Sequence, residues 1–268
     1  MRIGLLNWSG HKNIGDDAMA QVLATELVKR GHVVINQGEH PKPDEVDAYF
    51  WGGGTLISAT GVWPEIPPRK PLIGFGIGVA EHPNSNIPAV RYNFDSAKMI
   101  FARDIYSYLE LTKYRVPAML SFDPVFLLDY DDPEEPRDFV AVNIIGSRKT
   151  DYDLVKETLE KYKGERIRGF AVGSPEDEQG MKDFGIEFDF FDDPYELYKF
   201  LKHAKVAICT RLHANVFAYM ANVPEIVPIT YDQKVKRFHE YVVNNRIPVR
   251  HMREMLNKNL DYACDLLS

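Results

Sequence analysis

The chain has only two cysteines in 268 residues, Cys209 and Cys264, and no CxxC pair. That excludes a disulfide framework and points to a reduced, intracellular setting. No apolar stretch approaches the ~20 residues that cross a bilayer. The opening run after Arg2 is too short for a signal peptide, so the expected location is cytoplasmic. A basic surface is missing too: 32 Lys and Arg stand against 39 Asp and Glu, a net charge of −7. A protein that grips nucleic acid by its phosphates needs the opposite balance, so no nucleic-acid partner is expected. A small anion stays open, because a few local cations suffice for it. There is no HExxH and no Cys/His spacing for a metal. There is no GxSxG nucleophile elbow, and neither GxxxxGK[ST] nor GxGxxG occurs. Neither a metal nor a cofactor is expected.

What is present is alternation. Arg2–Trp8 is an apolar run of strand length. Gly15–Arg30 reads as a helix, with Met19, Val22, Leu23 and Leu27 at spacings of three and four. Asp16 and Asp17 suit its first turn, Lys29 and Arg30 its last, and Gly31 its end. Further strands are expected at Val33–Gln37, Asp47–Trp51, Leu72–Val79, Met99–Asp104 and Ala118–Phe122, with a helix at Ile105–Tyr114. The run Asp129–Asp138 carries six acids and two prolines without apolar period and reads as a solvated linker.

Beyond it the alternation restarts. Strands are expected at Phe139–Ile145, Arg166–Val172, Ile186–Phe191, Val206–Thr210 and Glu225–Thr230. Helices are expected at Asp151–Lys163, after Asp193-Pro194, and at Ala214–Asn222, Lys234–Asn244 and Glu254–Leu267. Strands separated by helices of about three turns form parallel sheets with right-handed crossovers. The expected fold is therefore α/β, with two Rossmann-like domains at residues 1–128 and 139–268 joined by the linker 129–138. In such sheets ligands bind beyond the carboxyl ends of the strands. Phe188, Phe190 and Phe191 alternate with acids and are expected in the core.

Four motifs lie at expected strand ends, each with two readings. Asn13-Ile14-Gly15-Asp16-Asp17 opens the first helix. Its backbone N–H groups suit an anion or hydroxyls, or Asp16 or Asp17 merely caps the helix. Gly52-Gly53-Gly54 after a strand lets backbone approach a ligand, or allows a tight strand-to-loop turn or close sheet–helix packing. The same holds for Gly74, Gly76 and Gly78. Arg103 either pairs with Asp104 or forks onto a carboxylate or phosphate. The last motif is Thr210-Arg211-Leu212-His213-Ala214, followed by Pro224 and Tyr231-Asp232-Gln233-Lys234. It places Arg211, His213 and Lys234 on neighbouring strand ends of one sheet beside two helix N-termini. Either this is positive potential for an anionic ligand, or His213 is a capping group and Lys234 is solvated.

Taken in order, these motifs, with Asp123-Pro124 between them, resemble the polysaccharide pyruvyl transferase family. The C-terminal RLH…P…YxxK element carries most of the likeness. The resemblance implies a fold similar to two-domain GT-B glycosyltransferases, with the N-terminal domain as acceptor side and the C-terminal as donor side. It implies transfer of pyruvate from phosphoenolpyruvate to two hydroxyls of a sugar as a cyclic ketal. The partners implied are phosphoenolpyruvate and a sugar or glycan acceptor, lipid-linked or free. Arg103, Arg211, His213 and Lys234 are the donor-binding candidates. His213 is the candidate general acid, and Asp16 or Asp17 the candidate proton acceptor. Asn13, Gly15, Gly52, Gly53 and Gly54 are the acceptor or backbone-loop candidates. Two other readings use the same residues: a GT-B glycosyltransferase acting on a nucleotide sugar, and a sugar- or anion-binding protein without turnover.

Overall fold

The computed structural model describes residues 1–58, 61–62, 70–80, 96–113, 115–130, 136–147, 150–173, 175–229 and 232–268. Tyr231 and residues 131–135 of the expected linker lie outside the described residues. No helix among the described residues is long and apolar enough to cross a membrane.

The chain is α/β and divides into two compact units, each with its own sheet. The first holds Met1–His11, Asp16–Leu128 and Pro248–Ser268. Its strands are β1 (Arg2–Leu6), β2 (Val33–Gly38), β3 (Ala48–Ser58), β4 (Gly61–Val62), β5 (Leu72–Val79), β6 (Ala97–Ala102) and β7 (Ala118–Leu120). Their order is β2-β1-β3-β5-β6-β7, all parallel, with the short β4 antiparallel to β3. Helix α1 (Ile14–Lys29) buries Ala18, Met19, Val22, Leu23 and Leu27, the face its periodicity marks. Gly31 ends it at a φ of 83°, a left-handed conformation that costs glycine little. Helix α2 (Ile105–Lys113) follows β6.

The glycine triplet does not end its strand. β3 runs through Gly52–Gly54 to Ser58. A Cβ on Gly52 would lie 2.5 Å from Cδ1 of Leu23, and one on Gly53 2.6 Å from Sδ of Met19. These two glycines therefore remove side chains where α1 presses on the strand, which is the packing reading rather than the turn.

The second unit holds Lys12–Gly15 and Asp129–Ile247. Its strands are β8 (Phe139–Asn143), β9 (Ile167–Ala171), β10 (Phe188–Phe190), β11 (Ala204–Cys209) and β12 (Glu225–Pro228), in the parallel order β10-β9-β8-β11-β12. The helices are α3 (Tyr152–Glu160), α4 (Glu176–Asp183), α5 (Pro194–Lys202), α6 (Leu212–Met220) and α7 (Gln233–Phe238). A π-helical turn, His239–Val243, continues α7 where one unbroken helix was expected. Asp193 caps α5 by accepting from the Tyr195 N–H, with Pro194 at the first position, as the sequence suggests. Phe188 packs against the core of the second unit and Phe191 lies on Phe200, as expected, but Phe190 is 43% exposed on the edge strand β10.

Two features depart from the expected layout. Helix α4 falls where no element was expected. It is polar and holds a single buried large apolar residue, Met181, so it shows no apolar period. The closing helix α8 (Val249–Asp265) packs with the first unit, not with the sheet that precedes it. The Arg253 guanidinium donates to the carbonyls of Phe126 and Leu128 at 2.9 and 2.5 Å. The Asn259 amide donates to the Ser121 hydroxyl at 2.9 Å, and Arg30, just past α1, pairs with Asp261 at 2.8 Å. A boundary that assigns everything after 139 to one domain therefore misplaces α8.

Candidate functional site

The motifs gather into one group in each unit. In the second unit the group stands at the carboxyl edge of β8, β9 and β11. The segment Asn13–Gly15 is stitched to the end of β9. The Ile14 N–H donates to the Val172 carbonyl at 3.0 Å, and Asn13 forms a bridge with Gly173. The Asn13 side chain accepts from the Gly15 N–H at 3.2 Å, so Asn13 rather than Asp16 or Asp17 serves the helix start. Across from it, β11 ends and Arg211 turns the chain into α6. Arg211, the N-cap residue of α6, makes no side-chain capping bond, and the first-turn N–H groups of a helix have no intrahelical acceptor.

His213 sits in the first turn of α6 and is only 9% exposed. Its imidazole lies flat on Gly15: a Cβ there would be 1.9 Å from Nδ1 and 2.1 Å from Cγ. Residues 13–15 and 211–213, about two hundred positions apart, thus meet. The Arg211 guanidinium lies against Gly173 in the same way, with Cζ 3.0 Å from where a Cβ would be.

A buried polar cluster beneath these residues escaped the sequence reading. Asp177 of α4 is fully buried. Its Oδ2 accepts from the N–H groups of Val172 and Gly173 at 2.9 and 3.1 Å and from the Asn143 amide at 2.9 Å. Its Oδ1 accepts from Nε of Arg211, whose Nη2 reaches Glu176 at 3.2 Å. Burial raises the Asp177 carboxyl above its ordinary value, outweighing Arg211 and the N–H donors, which lower it. Every group facing it is a donor, so a proton on either oxygen would have no acceptor. We take it as ionised at neutral pH, paired with Arg211. Asn143 accepts from the Arg211 N–H at 3.2 Å, and Thr210 Oγ1 accepts from the Ile145 N–H at 2.9 Å.

Arg211 thus does not add an uncompensated charge. Lys234, at the start of α7 after β12, is likewise 3.4 Å from Asp232, which also caps the helix through the Lys234 N–H. Its side chain is 29% exposed, so it is half-buried rather than solvated. β11 and β12 are paired neighbours, so Arg211, His213 and Lys234 share one sheet edge. The positive potential there is smaller than a count of cations suggests.

His239, in the π-helical turn after α7, is 7% exposed. Its Nε2 is 2.8 Å from the Asn215 Oδ1. The Asn215 amide nitrogen donates to the carbonyls of Cys209 and Arg211, so its oxygen faces His239 and the imidazole donates from Nε2. Burial pushes this imidazole down to about 4.

In the first unit a second group forms around Arg103, which directly follows β6 and is 8% exposed. Its Nη2 donates to Thr55 Oγ1 at 2.5 Å, its Nη1 is 3.7 Å from Asp123 and its Nε 3.9 Å from Asp104. The expected Asp104 pair is present but is the longest of the three contacts. The guanidinium lies on Gly78, whose Cβ would be 2.7 Å from Nε. Gly54, next to Thr55, has Asp16 Oδ1 3.2 Å from its Cβ position, and Asp17 accepts from the Gly10 N–H at 2.7 Å. The glycine triplet, the Arg103-Asp104 pair and Asp16 of α1 thus form one connected set, while Asp17 turns to Gly10.

The architecture is α/β, with two Rossmann-like units each built on its own largely parallel sheet. Solved structures share it at low identity. The UDP-GlcNAc 2-epimerase from Methanocaldococcus jannaschii matches with a TM-score of 0.59 at 10% identity, over 98% of this chain and 99% of that one. The S. aureus MnaA–UDP complex gives 0.58 at 9%, over 99% and 97%. An uncharacterized protein, KP1_0663, from Klebsiella pneumoniae gives 0.54 at 14%, over 92% and 91%. These likenesses concern fold alone. No curated protein matches the chain in sequence. The family model of polysaccharide pyruvyl transferase matches residues 13–233. The chain belongs to that family.

Proposed function

We propose that the protein transfers the pyruvyl group of phosphoenolpyruvate to two hydroxyls of a sugar, forming a cyclic ketal and releasing phosphate. The observation that carries this reading is the packing of His213 on Gly15 at the N-terminus of α6. A protonatable ring, a helix start and a half-buried ion-paired arginine at one sheet edge suit a phosphate that leaves.

The chemistry assigns the steps. C3 of the enol takes a proton, which makes C2 an oxocarbenium-like electrophile. One sugar hydroxyl adds to C2 and gives up its proton. The C–O bond to phosphate breaks, with His213 donating a proton to the leaving oxygen. The second hydroxyl then closes the ring and loses its proton. Such general acid catalysis is worth roughly 10²–10⁴-fold. Lys234 and the α6 N–H groups meet the phosphate, and Arg211 holds the turn from which His213 projects. From the first unit the reading assigns Arg103 to the donor's carboxylate and Asp16 or Asp17 to proton acceptance, with Gly54 and Asn13 as backbone contacts to the acceptor.

The test is phosphate release from phosphoenolpyruvate with a panel of free, nucleotide-linked and lipid-linked sugars, with a mass gain on the sugar. His213→Gln is expected to remove turnover and keep the melting temperature. Full activity in that variant would overturn the role of His213. The shared fold with UDP-GlcNAc 2-epimerases favours a second reading, in which a nucleotide sugar is the donor. Stabilisation by UDP-sugars with no response to phosphoenolpyruvate would select it.

A further inference from the structure

We infer that Asp177 is the positioning residue of this site, one buried carboxylate that holds three strand ends so that His213 and Gly15 meet. The inference rests on the reading of His213 as the acid. Three chain segments converge on the carboxylate. Asn143 ends β8, Val172 and Gly173 follow β9, and Arg211 follows β11; all three donate to it. The Val172 carbonyl holds Ile14, so the placement of Gly15 passes through the same peptide that Asp177 fixes. The Arg211 N–H and the Thr210 hydroxyl meet at the side chain of Asn143, so the placement of α6 passes through it as well. His213 itself is not within the cluster. Asp177 acts on it through both of the segments that bracket its ring.

An amide cannot replace the carboxylate here. Asp177 faces four N–H donors, and an asparagine would turn its own N–H₂ toward one of them. With its oxygen toward Val172, Gly173 and Asn143, the Nδ2 of that asparagine would face Nε of Arg211. The guanidinium would be left to Glu176 alone, and its seat on Gly173 would loosen. Thr210→Val tests the same cluster without disturbing charge. It keeps shape but removes the hydroxyl that accepts from Ile145 and donates toward Asn143.

The experiment uses the full chain as wild type, Asp177→Asn, Thr210→Val and Thr210→Ser. Two properties are read: kcat and KM for phosphoenolpyruvate, and the His213 imidazole NMR signals, assigned from their loss in His213→Gln. Asp177→Asn and Thr210→Val are expected to lose about tenfold or more in kcat, with KM changed less than about threefold, since misplacing a reacting group by ~1 Å costs on that order or more. Thr210→Ser is expected to restore kcat, and the His213 signals are expected to shift in the first two variants. A folded Asp177→Asn or Thr210→Val with kcat near wild type, or with His213 signals that coincide with wild type, overturns the inference. If Asp177→Asn does not fold, the Thr210→Val and Thr210→Ser pair decides. If wild type releases no phosphate with any acceptor, the proposed reaction fails, and the NMR signals alone decide the positioning.

Discussion

Gly15→Ala separates the stability of the protein from its activity. The new Cβ would lie 1.9 Å from Nδ1 and 2.5 Å from Cε1 of His213. Carbon contacts settle near 3.5–4.0 Å, so the ring must retreat by about 1.5 Å or more. Overpacking of this kind costs about 1–3 kcal/mol. Against it, alanine in a helix gains up to about 0.5–1 kcal/mol over glycine. The net cost is about 0–2.5 kcal/mol, a drop of a few degrees in melting temperature for a chain of this size. The rate responds more steeply. A displacement of ~1 Å at a reacting group is worth about 10²-fold, so kcat is expected to fall by at least that much. The assay pairs a thermal melt with phosphate release at saturating phosphoenolpyruvate. A Gly15→Ala protein that melts within a few degrees of wild type and turns over at the wild-type rate would refute the reasoning, because the ring would then have moved without consequence.

Other perturbations reach different parts of the molecule. The His239 imidazole is held near 4 against an ordinary value of 6.5. Its folded value is depressed, so its contribution is present above about pH 6.5 and is lost as pH falls toward 4, about 3 kcal/mol at 1.36 kcal/mol per pH unit. His239→Gln is expected to flatten the stability profile in that window, read by urea unfolding at several pH values; an unchanged slope would count against the buried neutral ring. Thr55→Val removes the acceptor of Arg103 Nη2, and a charge-assisted bond of about 1.5–3 kcal/mol translates to roughly 10–100-fold in kcat/KM for phosphoenolpyruvate. Unchanged kinetics there would remove Arg103 from donor binding. Deleting residues 248–268 removes the buried Met252, Leu256 and Leu260 of α8, each worth about 1.5–3 kcal/mol. That is comparable to the whole stability of a domain, so the shortened chain is expected to lose cooperative melting.

How much of this could be read from residues alone depended on whether a residue's partner was near in sequence. The period of Met19, Val22, Leu23 and Leu27, and the Asp193-Pro194 start, are local signals, and they named their elements correctly. RLH at a strand end was legible because strand and helix flank it within ten residues. Three features depended on distant partners. The glycine triplet stayed open to ligand contact, turn or packing, because nothing nearby shows that Leu23 and Met19 lie on top of it. Helix α8 looked like the end of the second domain because Arg253 finds Phe126 and Leu128 over a hundred residues away. Asp177 looked like one acid among the four in Glu176–Asp183, and only the fold shows that it is the buried one. A signal was available there: Pro175 followed by three acids marks a helix start, which places Asp177 in a first turn facing the sheet.

The glycines of the candidate site share a physical role that no glycine motif announces. Gly15 seats the imidazole of His213, Gly173 the guanidinium of Arg211 and Gly78 that of Arg103. In each case a planar polar group lies against an α-carbon, at Gly15 and Gly78 at a distance that a side chain would forbid and at Gly173 at one that a Cβ would crowd. Such a seat takes up one face of the plane and directs the rim, where the N–H groups are, along the strand edge. Long, flexible cations cost side-chain entropy to hold in one place, and the flat seat lowers that cost before any ligand arrives. The hydrogen bonds then complete the placement: Thr55 for Arg103 and Asp177 for Arg211. By contrast Gly52 and Gly53 seat Leu23 and Met19, apolar groups, and so belong to packing. Glycines in this fold therefore divide by what lies on them, and those under a charged or titratable plane are the ones whose substitution should harm turnover more than stability.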